Sequence, residues 1–263
     1  MPKYQYIQNI ELLFKSANIF HPGSRLFVLT SSETDLTRLK VDFERADSKV
    51  DQKTLMLNRS LAQQLMIRYD NFDLPIALID SDILINGSIE SLFKEDFDVA
   101  LTWRKSVNMP INGGLMLLNN HRPEVARKFI DDFVAIYCER YLDAGDWYGD
   151  QLALRDICKV TWREMRDRKM IEVNGCKILF LPCEEYNYSP ENKYRALINP
   201  ITHAAILHFK GNRKRLIKDY WVAHLQLYIH NNLLARAHAY VMRRTLALKA
   251  ACEVRVGVAS MDE

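Results

Sequence analysis

The sequence predicts an α/β fold in which a mostly parallel sheet is covered by helices on both sides. Short segments such as Ile76–Ile79 are apolar without alternation, as strands buried on both faces must be. They alternate along the chain with longer segments of helical periodicity, the pattern of a layered α/β domain. The length of 263 residues, 48% of them hydrophobic and 26% charged, supplies one large core and excludes disorder or a fibrous repeat.

From residue 4 to 20 the apolar positions Tyr6, Ile7, Ile10, Leu13, Phe14 and Ala17 keep helical spacing, and His21-Pro22-Gly23 ends the helix. The apolar run 25–30 reads as a strand, 31–37 as a polar loop with capping residues, and 55–69 as a second amphipathic helix before a turn at 71–75. Strands follow at 76–79, 99–102, 114–118, 178–181 and 204–208, and helices at 123–141, 151–158 and 220–249. No repeat, low-complexity tract or linker interrupts this series, so residues 1–214 read as one domain and 215–263 as a basic helical extension.

The formal net charge of +3 gives no global argument for a nucleic-acid partner. Its distribution is uneven: residues 205–249 hold nine Lys or Arg against one acid, Asp219, so the rest of the chain is net acidic. Such asymmetry points to an anionic partner, phosphate or anionic lipid. The five cysteines are odd in number and show no CxxC spacing, which excludes a disulfide framework or zinc site and suits a reducing cytoplasm. No apolar run reaches the length of about 18 residues that a membrane span needs.

Chemistry concentrates first at Asp80-Ser81-Asp82, between Ile76-Ala77-Leu78-Ile79 and Ile83-Leu84-Ile85. Ligands of open α/β sheets bind beyond the carboxyl ends of strands. Two carboxylates in so apolar a run call for a cation, and a hard divalent ion such as Mn²⁺ or Mg²⁺ is the natural partner. An acidic turn capping a helix from Ser88 is the structural alternative. The same motif also opens the haloacid dehalogenase phosphatases, where Asp80 would be the nucleophile, but there it stands near the N-terminus. The later pair Asp131-Asp132 falls mid-helix and reads as a solvated face.

A second motif, His208-Phe209-Lys210-Gly211-Asn212-Arg213-Lys214, follows an apolar strand in the form HxxGxxK. A histidine at a strand end can ligate a metal, a glycine lets backbone approach a phosphate, and a lysine can neutralise one. Together the two motifs describe a site for a metal diphosphate.

With these residues in place, the chain resembles the retaining glycosyltransferases of the glycogenin-like and lipopolysaccharide-galactosyltransferase-like family, which have the GT-A fold. The resemblance runs from about Tyr4 to Lys214 through Asp80-Ser81-Asp82, Thr102-Trp103-Arg104, Asn112-Gly113-Gly114, Gly149-Asp150-Gln151, Leu181-Pro182 with Tyr186-Asn187, and HxxGxxK. It implies a hexosyltransferase-type enzyme that moves a sugar from a nucleotide-diphosphate donor, commonly a UDP-sugar, to a hydroxyl on a glycan, lipid-linked glycan or protein. By the resemblance Asp80, Asp82 and His208 hold Mn²⁺ or Mg²⁺, and Asp80 and Ser81 lie at the nucleotide. Gly211 and Lys214 hold the diphosphate, Arg104, Asn112, Gly113 and Asp150 surround the donor sugar, and Gln151 lies beneath the anomeric carbon. Tyr4 or Tyr6 flanks the base, and Trp147 and Tyr148 are candidates to stack on an acceptor.

Two departures stand out. The family begins with a strand ahead of the helix that here starts near Tyr4, so the reading expects the first strand to be missing and the base site impaired. The family also often carries Ser where Gly113 stands. Finally, the last helix combines bulky apolar residues with Arg236, Arg243, Arg244 and Lys249, which predicts peripheral contact with an anionic membrane or, alternatively, an ordinary docked helix with a basic face.

Overall fold

The computed structural model describes residues 3–47, 54–69, 75–142 and 148–259, with helix and strand assignments throughout. The expected turn at 71–75 and Trp147 lie largely or wholly outside the described residues, as does the side chain of Tyr4.

Helix α1 (Lys3–Phe20) leads into β1 (Phe27–Thr30), which pairs in parallel with β2 (Glu44–Asp47). After α2 (Leu55–Tyr69) come β3 (Ile76–Ile79), β4 (Ile83–Ile85), β5 (Val99–Trp103) and β6 (Ile111–Leu118). Helix α3 (Pro123–Arg140) starts with proline in its first turn and buries Ala126, Phe129, Ile130, Phe133, Val134 and Tyr137 along one stripe. Then follow α4 (Gly149–Cys158), α5 (Trp162–Arg168), β7 (Met170–Val173), β8 (Cys176–Pro182), α6 (Cys183–Tyr186) and β9 (Ile206–His208).

The α/β class with helices on both faces stands as read, but the main sheet is mixed rather than mostly parallel. Its order is β3-β6-β5-β8-β7, and only β5 and β8 pair in parallel. The reason is the short loop 104–110 between β5 and β6, which cannot form a crossover and so makes the pair antiparallel. Likewise Asn174 and Gly175, at φ 50° and φ 80°, close β7 onto β8 as a tight hairpin. A separate two-stranded sheet pairs β4 with β9.

Three apolar clusters hold these layers. Leu101 and Trp103 face α2, α3 and α4, while Ala100 on the same strand faces Leu13, Phe14 and Val28 on the opposite side. A third cluster joins Leu84 of β4 and Leu207 of β9 to Phe209 and the C-terminal helices. Those helices are α7 (Ile217–Tyr220), a π-helical turn at Trp221–Leu225, α8 (Gln226–Ile229) and α9 (Leu233–Ala259). The single helix expected over 220–249 is therefore broken at His230, where the backbone leaves helical geometry. Asn232 then caps α9 by accepting the Ala235 N–H at 2.9 Å.

One buried hydroxyl ties α1 to the strand that follows the acidic motif. Ser16 Oγ, fully buried, donates to the Leu13 carbonyl and accepts the Ile85 N–H at 2.9 Å. Ser16→Ala should therefore leave a buried donor unpaired and lower the unfolding free energy by about 1–3 kcal/mol in denaturant titration. A change below about 0.5 kcal/mol would show that Ile85 finds another acceptor.

Candidate active site

Asp80-Ser81-Asp82 crosses from one sheet to the other. The Asp80 N–H donates to the Gly114 carbonyl at 3.0 Å, continuing the β3–β6 pairing, and the Phe209 N–H donates to the Asp82 carbonyl at 2.8 Å, continuing β4–β9. Asp82 is buried, Asp80 and Ser81 half-buried, and the two carboxylates meet His208 where the sheets adjoin.

The orientation of His208 is fixed by a relay that begins at a backbone carbonyl. Thr102 Oγ1 donates to the Asn112 carbonyl at 3.0 Å, so it accepts from Asn187 Nδ2 at 2.8 Å. Asn187 Oδ1 is thereby turned to His208 Nδ1 at 2.7 Å, which must carry the proton. In the neutral ring the lone pair then lies on Nε2, facing Asp82 Oδ1 at 3.1 Å and Asp80 Oδ2 at 3.7 Å.

Each carboxylate spends its other oxygen on a fixed cation. Arg59 Nη1 donates to Asp80 Oδ1 at 2.5 Å, and Lys214 Nζ lies 3.1 Å from Asp82 Oδ2. What converges is two carboxylate oxygens and an imidazole lone pair, all ligand atoms lying within 4.8 Å of one another. Such acceptors repel one another unless a cation sits among them, and hard oxygen donors with one imidazole suit a divalent ion. Asp80, Asp82 and His208 therefore fit Mn²⁺ or Mg²⁺.

Electrostatics bind this cluster to Asp150 through Arg59, whose Nη2 reaches Asp150 Oδ2 at 2.5 Å. Burial works against the Arg59 charge, but Asp80 and Asp150 more than offset it and hold its pKa above the usual guanidinium range. Asp150 is 1% exposed, and burial holds its carboxyl above the usual carboxylate range in spite of Arg59. Its Oδ1 is buried without a partner among the described residues. Burial pushes Asp82 up, yet Lys214 and a His208 ring that donates from Nε2 where no metal ion takes its lone pair prevail, and its pKa is lowered.

Glycines form the floor. A Cβ on Gly114 would lie 2.6 Å from His208 Nδ1, and one on Gly113 would lie 2.5 Å from Asp150 Oδ2. The β5–β6 register shifts between Leu101 and Thr102, opposite these residues, so a bulge brings bare backbone under the carboxylates. Serine at 113 would collide with Asp150 where it now stands, which accounts for that departure from the resemblance.

Of the other expected residues, Gln151 Oε1 accepts from Arg104 Nη2 at 3.1 Å, and Asn112 Oδ1 accepts the Gly114 N–H at 3.0 Å. Gly211, at φ 57°, and Lys214 line an adjoining cavity of about 550 Å³ with Tyr6, whose ring centroid lies 5.4 Å from Lys214 Nζ. Tyr148 is exposed at the start of α4. Asp131 and Asp132 pair with Arg68 and Lys128 at the surface, as a solvated face should. Sequence reading missed Arg59, whose signal is a lone arginine between buried Leu57 and Ser60, and it named Thr102 and Asn187 without their relay.

No family model matches the chain, and no curated protein matches it. Among solved structures, glycosyltransferase GlyE of Streptococcus pneumoniae TIGR4 aligns with a TM-score of 0.51 and 18% identity, covering 83% of this chain and 58% of GlyE. The apo bifunctional glycosyltransferase WbbM also aligns at 0.51, with 14% identity, covering 90% of this chain and 49% of WbbM.

The chain has the GT-A glycosyltransferase fold. Asp80, Asp82 and His208 stand together in it, with Lys214 beside Asp82.

Removing Arg59 tests the electrostatic link. Arg59→Met leaves Asp150 buried without its counter-ion, at a cost of about 3 kcal/mol. Because the folded pKa of Asp150 is raised, its protonation favours the folded state, and the stability tied to it grows as pH falls through that value. The gap in unfolding free energy between variant and wild type should therefore narrow from neutral to acidic pH. A gap independent of pH would mean that Asp150 is not the group stranded.

Proposed function

We propose that this chain is a metal-dependent, hexosyltransferase-type glycosyltransferase that moves a sugar from a UDP-sugar to a hydroxyl acceptor with retention of configuration. The acceptor class is a glycan, a lipid-linked glycan or a protein. The observation that carries the reading is the convergence of Asp80 Oδ2, Asp82 Oδ1 and the His208 Nε2 lone pair in a chain with the GT-A fold.

Asp80, Asp82 and His208 would hold the divalent ion, which when bound offsets charge developing on the departing diphosphate. Lys214, kept beside that point by Asp82, supplies a fixed positive charge to the same oxygens. The left-handed backbone of Gly211 and its lack of a side chain let a phosphate approach. Gln151 is held by Arg104, so its amide is oriented before substrate arrives. Asp150 is desolvated and has an uncommitted oxygen, which equips it to accept a sugar hydroxyl. Tyr6 stands at the edge of the cavity beside Lys214, where it can flank the base.

Asp82→Ala should lower metal-dependent turnover of UDP-sugars by about 100-fold or more, measured as UDP release across a donor panel. EDTA should abolish the same activity and Mn²⁺ should restore it. Turnover unchanged in Asp82→Ala would defeat the assignment. Phosphatase activity that survives His208→Ala would instead support Asp80 as a phosphoryl nucleophile.

The C-terminal helix supports a place of action at an anionic membrane surface. Leu233, Leu234 and Leu248 are 85%, 79% and 70% exposed, and Tyr240 and Val241 are exposed beside them. Between Leu233 and Cys252 the sequence has no acid, while Arg236 and Arg244 are exposed bases. A basic helix with an outward apolar face suits an interface rich in anionic lipid better than a second copy bearing the same charge. No helix among the described residues is long and apolar enough to cross a membrane. Co-sedimentation with anionic but not neutral vesicles at low salt is expected, and Leu234→Glu with Leu248→Glu should weaken it. Absence of binding to anionic vesicles at low salt would refute membrane contact.

A further inference from the structure

We propose that the site binds one anionic group besides the diphosphate, a carboxylate or phosphate carried by the transferred sugar or by the acceptor, between Arg104 and Lys210. The inference rests on the donor-site reading above and narrows its substrates to acidic sugars.

Placement comes from strand geometry. The parallel register sets Trp103 beside Pro182, so the next residues, Arg104 and Cys183, stand together at the carboxyl edge of β5 and β8. On the continuation of β9, His208 faces the carboxylates and Phe209 is fully buried in the opposite cluster. Lys210, whose backbone is extended at φ −62° and ψ 144°, returns to the side of His208. Its ammonium feels Cys183, Arg104, Asp80 and Asp82, and Cys183 in turn feels both Lys210 and Arg104.

Among the described residues neither cation is bonded to a carboxylate. Arg104 donates from Nε to the Met109 carbonyl and from Nη2 to Gln151 Oε1, both uncharged acceptors, and no bond engages Nη1 among the described residues. Lys210 has no side-chain hydrogen bond or ion pair among them, and Glu184, exposed beside Cys183, pairs with neither. A half-buried pair of like charges with no carboxylate bonded to either is unfavourable as it stands and becomes favourable once an anion enters.

Charge balance points the same way. Asp80, Asp82 and Asp150 face four cations, Arg59, Lys214, Arg104 and Lys210. A divalent ion and a doubly charged diphosphate cancel each other, which leaves one positive charge for the substrate. Arg104 lies at Gln151, away from the Lys214 that serves the diphosphate, so the surplus falls on the sugar side.

The test is calorimetric titration in Mn²⁺ of the full chain and of R104Q/K210Q. In the donor arm the probes are UDP, UDP-glucose and UDP-glucuronate. In the acceptor arm the protein is saturated with UDP and titrated with methyl glucoside, methyl glucuronide or glucose 6-phosphate. Wild type should bind the anionic probe of one arm about tenfold or more tightly than its neutral partner. R104Q/K210Q should lose that preference while its UDP affinity stays within about twofold. R104K/K210R, which keeps both charges, should retain part of the preference. Lack of preference in both arms for wild type overturns the inference, as does loss of UDP affinity in R104Q/K210Q, which would assign the cations to the diphosphate. Failure of wild type to bind UDP in Mn²⁺ would instead bring down the donor-site reading itself.

Discussion

The orientation of one imidazole ring organises this site. His208 can present a lone pair to Asp80 and Asp82 only because Asn187 Oδ1 holds its other nitrogen as a donor, and Asn187 is turned that way by Thr102. The relay ends on the Asn112 carbonyl, an atom that can only accept, so its direction is settled by backbone rather than by a side-chain choice. Support of this kind is what keeps a metal ligand in one tautomer and one rotamer. The relay depends on the β5–β6 bulge that brings Asn112 opposite Thr102, and on Gly114, whose missing side chain leaves room for the ring.

The same economy governs the charges. Asp80 and Asp82 each divide their oxygens, one to a resident cation and one to the common point, so neither carboxylate rotates freely. Arg59 does more than steady Asp80, because its second nitrogen carries the pairing to buried Asp150. A network of buried ions is costly unless every member is paired, and this one is left with an open oxygen on Asp150. Gly113 packs against its other oxygen, Oδ2, where a Cβ would collide.

The chemistry written in contiguous residues was legible in the sequence. Asp80-Ser81-Asp82 and HxxGxxK each declare themselves by residue type and by position after an apolar strand, and the structure brings them together. Arg59 was not legible because its partners lie 21 and 91 residues away and an arginine on an amphipathic helix looks like any solvated cation. Strand positions could be read from apolar runs, whereas strand direction could not: apolar content says that β6 is buried, and only the short loop 104–110 says that it runs against β5. The break at His230 was hidden for a related reason, since helical periodicity resumes on its far side.

The acidic motif also explains why residues far from it matter to it. Asp80 belongs by its backbone to the five-stranded sheet and Asp82 to the two-stranded sheet, so the spacing of their carboxylates is the spacing of the two sheets. That spacing is set by what packs around the smaller sheet. Ser16 clamps α1 to Ile85, and Leu84, Leu207 and Phe209 anchor the pair to α7 and the π-helical turn. A change in the C-terminal helices can then reach the carboxylates by shifting one sheet against the other, with no charge or ligand altered. Packed interiors transmit such shifts because they have few voids in which to absorb them. The C-terminal segment is thus mechanically coupled to the site through β4 and β9, whatever surface its outer face meets.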